Sequence, residues 1–122
     1  MSKTTLLDLV KTPKSELQKM KVGVLVRSTL PELLSTHLLS EREVVQLQEL
    51  DYSKQVFGMN YPILKKLDLT FSINTNRTVG DYTRYYAFVV LYKDEYYLIT
   101  SEWYERNLTP YIDWMKRKVK PV

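Results

Sequence analysis

Through the first half of the chain, apolar residues recur at helical spacing. In the second half they run together as aromatic and β-branched residues. The change comes near Asn60-Tyr61-Pro62, where the proline pushes the residue before it towards extended geometry. The densest stretch covers residues 83–92, a charged break at Lys93-Asp94-Glu95, and residues 96–100. Two such runs around a short polar break predict a β-hairpin. The break has no Asn-Gly or Asp-Gly pair, so a loop of three or four residues is expected. Alternation puts Tyr86, Phe88, Val90 and Tyr92 on one face, and Tyr85, Ala87, Val89 and Leu91 on the other. Both faces are apolar, so this strand is expected to be central or covered.

Upstream, Thr12-Pro13 is a cap-then-proline start for a helix carrying Leu17, Met20 and Val24, with Lys14, Lys19 and Lys21 around it. The run 22–26 fits a helix better than a short strand, because its flanks are helical. Pro31 either kinks that helix near Arg27 or opens another. Thr29 and Glu32 stand at capping-box spacing, which favours a restart with Leu30, Leu33, Leu34, His37 and Leu38 on the apolar face. Ser40 and Glu43 form a second capping box before Val44, Leu47 and Leu50. Asp51 can cap a short helix over 52–57 that Gly58 ends. Leu67, Leu69 and Phe71 alternate with polar residues as a short strand, and 73–81 is a polar loop. Ser101 can cap a turn through Trp103 and Tyr104. Thr109-Pro110 opens a last helix with Tyr111, Trp114 and Met115 facing the body. Helices, then strands, then a helix predict a segregated α+β fold: N-terminal helices on a small antiparallel sheet, with a C-terminal helix. The 122 residues fit one domain.

Composition removes most enzyme classes. There is no cysteine, so disulfides and thiolate chemistry are excluded. The sole histidine, His37, sits in a leucine-rich stripe and suits a packing role better than a base. Three glycines, Gly23, Gly58 and Gly80, cannot supply a phosphate-binding or dinucleotide loop. The carboxylates fall in caps, loops and exposed helix positions. A non-enzymatic protein without cofactor or metal is expected. No apolar run approaches the ~18 residues of a membrane helix, and residues 1–11 lack a signal-peptide core, so a cytoplasmic protein with no membrane partner is expected.

The net charge of +4 is unevenly spread: +4 over residues 1–27, −3 over 28–64, −1 over 65–114 and +4 over 115–122. Basic ends point to an acidic partner, DNA or RNA. The candidate nucleic-acid-binding residues are Lys54, Asn60, Lys65, Lys66, Arg77 and Arg84, with Lys116, Arg117, Lys118 and Lys120 of the basic tail 116–122. The four tail cations are expected to project into solvent beyond the anchors Trp114 and Met115. Eleven of the 15 aromatic residues lie between Tyr82 and Trp114. Most suit the core. Exposed, they would suit base stacking if interleaved with cations. They would equally suit a protein-binding inhibitor or regulator of phage or mobile-element type, acting on a host or bacterial protein.

The segments 21–27, 52–64 and 96–107 resemble a small accessory domain of bacterial and phage proteins. The order of helices and hairpin is also similar to the DNA-binding domain of the replication modulator SeqA. That resemblance implies DNA contact through loop amides and basic side chains, with Asn60 and the loop Asn74-Thr75-Asn76-Arg77 the nearest in type.

Overall fold

The computed structural model describes residues 6–119. The expected tail cation Lys120 lies outside the described residues. Five helices come first: α1 (Leu6–Lys11), α2 (Lys14–Leu17), α3 (Val22–Ser35), α4 (Glu41–Leu47) and α5 (Leu50–Phe57). Then follow β1 (Leu64–Lys66), α6 (Ile73–Arg77), β2 (Thr78–Val79), β3 (Tyr82–Thr83), β4 (Val90–Tyr92) and β5 (Glu95–Ile99). A 3₁₀ turn (Glu105–Asn107) leads into α7 (Leu108–Lys118). The fold is α+β, with a three-stranded antiparallel sheet in the order β1-β5-β4 and a separate β2-β3 hairpin.

The first expected helix is broken. α2 stops at Leu17, and α3 begins only at Val22. Helix α3 then runs unbroken through Pro31, so Thr29 is not a cap. Leu25, Val26, Leu30, Leu33 and Leu34 are all fully buried. At about 1.5–3 kcal/mol each, that burial outweighs the ~3 kcal/mol cost of an interior proline. The helix ends in a Schellman motif: Leu38 N–H donates to the Leu33 carbonyl and His37 N–H to that of Leu34. His37 occupies the left-handed position at φ 59° and is exposed, as is Leu38, rather than extending the leucine stripe. The Ser40–Glu43 capping box forms as the sequence predicts. Glu49, not Asp51, precedes α5, and it makes no side-chain cap. Leu50 is exposed at the start of that helix.

Aromatic rings join α5 and α7 to the segment that follows β5. Phe57 of α5 lies 5.2 Å from Trp114 and 6.1 Å from Tyr111, and Trp103 lies 5.5 Å from Tyr111. Each buried indole finds a partner: Trp103 Nε1 donates to the Thr100 carbonyl and Trp114 Nε1 to the Tyr52 hydroxyl. Thr29 donates its one hydroxyl proton to the Leu25 carbonyl, so the Tyr111 hydroxyl, 2.6 Å away, donates to Thr29. Asn107 is fully buried and ties α5 to α7, its amide donating to the Phe57 and Gly58 carbonyls.

The hairpin differs from expectation in three ways. Its loop is two residues, Lys93-Asp94, with Lys93 taking the positive φ of 50°. The central strand is β5, and β4 is an edge. Finally, the first strand is not continuous. Tyr85 bridges Thr100 and Val90 pairs with Tyr97, so residues 86–89 face only Leu98 and Ile99. Two extra residues bulge outwards there, leaving Ala87 and Phe88 exposed. Similarly, Leu69 and Phe71 are exposed in a turn rather than a strand; β1 precedes them. The expected polar loop 73–81 is instead α6 and the β2-β3 hairpin, whose turn uses Gly80 at φ 64°.

The tail does not project into solvent as a unit. α7 starts at Leu108 and keeps Trp114 and Met115 buried, as expected. The Lys116 ammonium turns back to the Val10 and Thr12 carbonyls at 2.6 and 2.7 Å, at the C-terminal end of α1, where a cation is favoured. Lys118 pairs with Glu43 of α4. Burial raises the Glu43 carboxyl, but the bonds from Lys118 and the Ser40 amide outweigh it and hold the group below its ordinary range. Arg117 alone of these three is exposed.

Buried tyrosines predict the alkaline behaviour. Burial pushes the Tyr85 hydroxyl up to about 12, and raises those of Tyr111, Tyr86 and Tyr97 as well. Unfolded tyrosine ionises near ~10, so above that pH the unfolded state holds fewer protons. The stability linked to Tyr85 is therefore complete below pH ~10 and is lost towards pH ~12, at about 1.4 kcal/mol per pH unit at most, and the other three tyrosines act in the same direction. Urea unfolding between pH 9 and 11.5, monitored by circular dichroism, should show this fall, and Tyr85→Phe should flatten it by one tyrosine's share. An unchanged slope in that variant would exclude Tyr85 as a contributor.

Candidate nucleic-acid interface

Beside the sheet, the chain builds a surface of alternating rings and cations around Arg84. This residue follows β3, and its backbone is fixed on both sides. Its N–H donates to the Arg77 carbonyl, and its own carbonyl accepts from Ser101 N–H and the Thr100 hydroxyl. The guanidinium pairs with Glu102 through Nη1. It also meets two tyrosine rings, with Cζ 5.1 Å from the Tyr61 ring centre and 4.9 Å from that of Tyr82. The Glu102 bond raises the guanidinium above its already high range, so it stays charged. Its Nε is enclosed and has no hydrogen-bond partner among the described residues. Tyr61 is placed by Pro62, whose carbonyl accepts from the Tyr85 hydroxyl.

A second ring–cation pair lies next to it. Arg106 Cζ is 5.1 Å from the Tyr104 ring centre, and Tyr104 in turn contributes to the field on Arg84. The Tyr104 amide is held by Asn107 Oδ1. Tyr82 and Tyr104 are the open rings, at 65% and 51% exposure, so one face of the surface is available to a planar partner.

Two more cations meet at Tyr85. Lys65 donates to the Asn76 carbonyl and lies 5.8 Å from the Tyr85 ring centre. Arg77 donates from Nε to the Tyr85 carbonyl and from Nη1 to Asn74 Oδ1. These acceptors are neutral, so the charges of Lys65 and Arg77 are fixed in place without being neutralised. Asn76, one of the amides suggested by the SeqA resemblance, is not available for contact. It is buried, and its side chain binds the backbone of Asp68 at both N–H and C=O and the Ser72 carbonyl. That hub holds the 68–72 turn against α6.

The other expected site residues divide. Lys66 is paired with Glu95 at 3.3 Å. Lys54 on α5 and Asn60 in the break are exposed, Asn60 directly before Tyr61. Lys116 and Lys118 belong to contacts with α1 and α4, and Arg117 is the exposed cation of α7. Sequence reasoning missed Tyr61, Tyr82, Tyr104 and Arg106. The one sequence signal for the last pair is the short spacing of Tyr104 and Arg106 before a helix. No helix among the described residues is long and apolar enough to cross a membrane. Comparison with protein-family models, with curated proteins and with solved structures finds no match.

Lysine cannot reproduce the contact of the planar Arg84 guanidinium with both rings. Arg84→Lys should therefore lower the melting temperature and alter the near-ultraviolet circular dichroism of the tyrosines. Arg106→Lys, on an exposed pair, should change neither. Equal melting curves for all three proteins would show that the clamp does not order this surface.

Proposed function

We propose that this chain is a non-enzymatic module that binds single-stranded nucleic acid on the Tyr61–Tyr82–Arg84–Tyr104–Arg106 surface. The observation that carries this reading is that the two open rings, Tyr82 and Tyr104, each bear an arginine. Bases stack on exposed aromatic faces without needing a particular sequence, and neighbouring cations follow the phosphates. Lys65 and Arg77, which pair with no carboxylate among the described residues, supply further backbone contacts. Asp81 and Glu105 lie close in sequence to the open rings, and this mixed charge fits a single strand held by stacking better than a duplex held by charge alone.

A second reading is binding to a host or bacterial protein. It rests on Leu69 and Phe71, which are 75% and 60% exposed in the turn held by α6, near the β2-β3 hairpin that carries Tyr82. Tyrosine, arginine and exposed apolar side chains together also compose protein interfaces.

Fluorescence anisotropy with a labelled oligothymidine across a salt series tests the first reading. Three phosphate contacts at about −0.7 each predict a log–log slope of about −2. Tyr82→Ala and Tyr104→Ala should each weaken binding roughly tenfold, in keeping with ~1–3 kcal/mol per stacked base. Absence of binding at low salt would overturn it. Capture of a protein that survives nuclease treatment and is lost with Phe71→Ser would favour the second.

A further inference from the structure

The bulge in the hairpin opens a separate groove of about 620 Å³ between the C-terminal half of α3 and the outer side of β4. Its apolar floor is Phe88 and Leu91, 37% and 50% exposed. Phe88 is not a loose side chain. Its ring stacks on Tyr86 at 5.5 Å and 15°, and Arg27 lies 5.3 Å from the other ring of that stack. The Tyr86 amide is anchored to the Ile99 carbonyl. The bulge therefore presents a fixed aromatic face, as bulges do where they redirect a side chain.

Among the lining residues, the charges without an ion pair within the described residues are both negative. Glu32 and Asp94 both line the groove. Glu32 Oε2 accepts from the Leu6 amide, a neutral donor, and has no ion pair among the described residues. Asp94 has no ion pair among the described residues. The one lysine of the lining, Lys93, has its ammonium on Glu41. The adjoining strand β4 has a strand neighbour on one side only, and α3 packs beside it.

We propose that this groove docks an extended peptide segment of a partner protein that carries lysine or arginine. The peptide backbone runs along the free edge of β4. A basic side chain lays its aliphatic stem over Phe88 and Leu91 and brings its charge to Glu32 and Asp94. A nucleic-acid strand is disfavoured here by the same two carboxylates, so this site is separate from the ring–cation surface and does not rest on it.

The test uses the full chain and a labelled, end-blocked heptapeptide of alternating valine and lysine, with its valine–glutamate counterpart as control. Anisotropy should show saturable binding of the lysine peptide alone. Asp94→Asn and Phe88→Ala, both at exposed positions, should each weaken it roughly five- to tenfold. Asp94→Lys should shift preference towards the glutamate peptide. Tyr82→Ala and Tyr104→Ala should leave peptide binding unchanged, which separates this site from nucleic-acid binding. Equal binding of both peptides, binding indifferent to Asp94 and Phe88, or no saturation up to about 1 mM would overturn the proposal. So would a dimer in sedimentation that Phe88→Ala dissolves, since a second copy would then cover the groove.

Discussion

The buried hydrogen bond from the Tyr111 hydroxyl to Thr29 links α7 to α3, and the contacts of α7 with the other helices are made with that link in place. Both residues are fully buried, so each hydroxyl must find a partner inside the protein. Thr29 meets that demand by bonding back to its own helix and accepting from Tyr111. This sets the rotation of α7 against α3. The same face of α7 then brings Trp114 to Phe57 of α5, while Tyr111 meets Trp103 just beyond the sheet. Once α7 is fixed, Lys116 reaches the end of α1 and Lys118 reaches the start of α4. The last helix thus fastens four of the earlier ones, and Lys116 and Lys118 act as internal ties.

The sheet is small, and what it presents is decided by departures from regular pairing. A continuous hairpin would alternate Phe88 and Leu91 regularly between two faces. The two extra residues of the bulge break that alternation and turn Phe88 outwards against α3. On the other side of Tyr85, the chain turns through β3 and brings Arg84 to Tyr61 and Tyr82. Tyr85 itself is buried and bridges Thr100, so it separates the two surfaces and holds both in place. One surface alternates rings with cations. The other sets the Tyr86–Phe88 stack beside a groove lined by Glu32 and Asp94.

Electrostatically, net charge is a poor guide to this molecule. Arg84, Lys66 and Lys118 face carboxylates, and their charge is balanced locally. Lys65, Arg77 and Lys116 face carbonyl oxygens, which orient the side chain but leave its charge to act on the surroundings. Of these pairs only Lys66–Glu95 is about half exposed, and an ion pair there contributes little to stability.

Local chemistry determined much of this structure before any tertiary contact. The capping box at Ser40 and Glu43, the left-handed stop at Gly58, the anchors Trp114 and Met115, and the order of helices and strands all follow from residues within a few positions of one another. Such features need only a helical turn or a staggered backbone to be read. The unbroken α3, the bulge, the exposed His37 and the partners of the tail lysines could not be read in this way. In α3, five leucines and valines buried against distant helices outweigh a proline whose local preference is to interrupt. In the hairpin, the alternating pattern gives no sign of two surplus residues, because their cost is met by the Tyr86–Phe88 stack and by contact with Arg27. Among the cations, sequence supplies the charges but not the acceptors, which lie 11 to 106 positions away for Lys65 and Lys116. Which lysines remain free to meet a partner is therefore decided only when the chain has closed on itself.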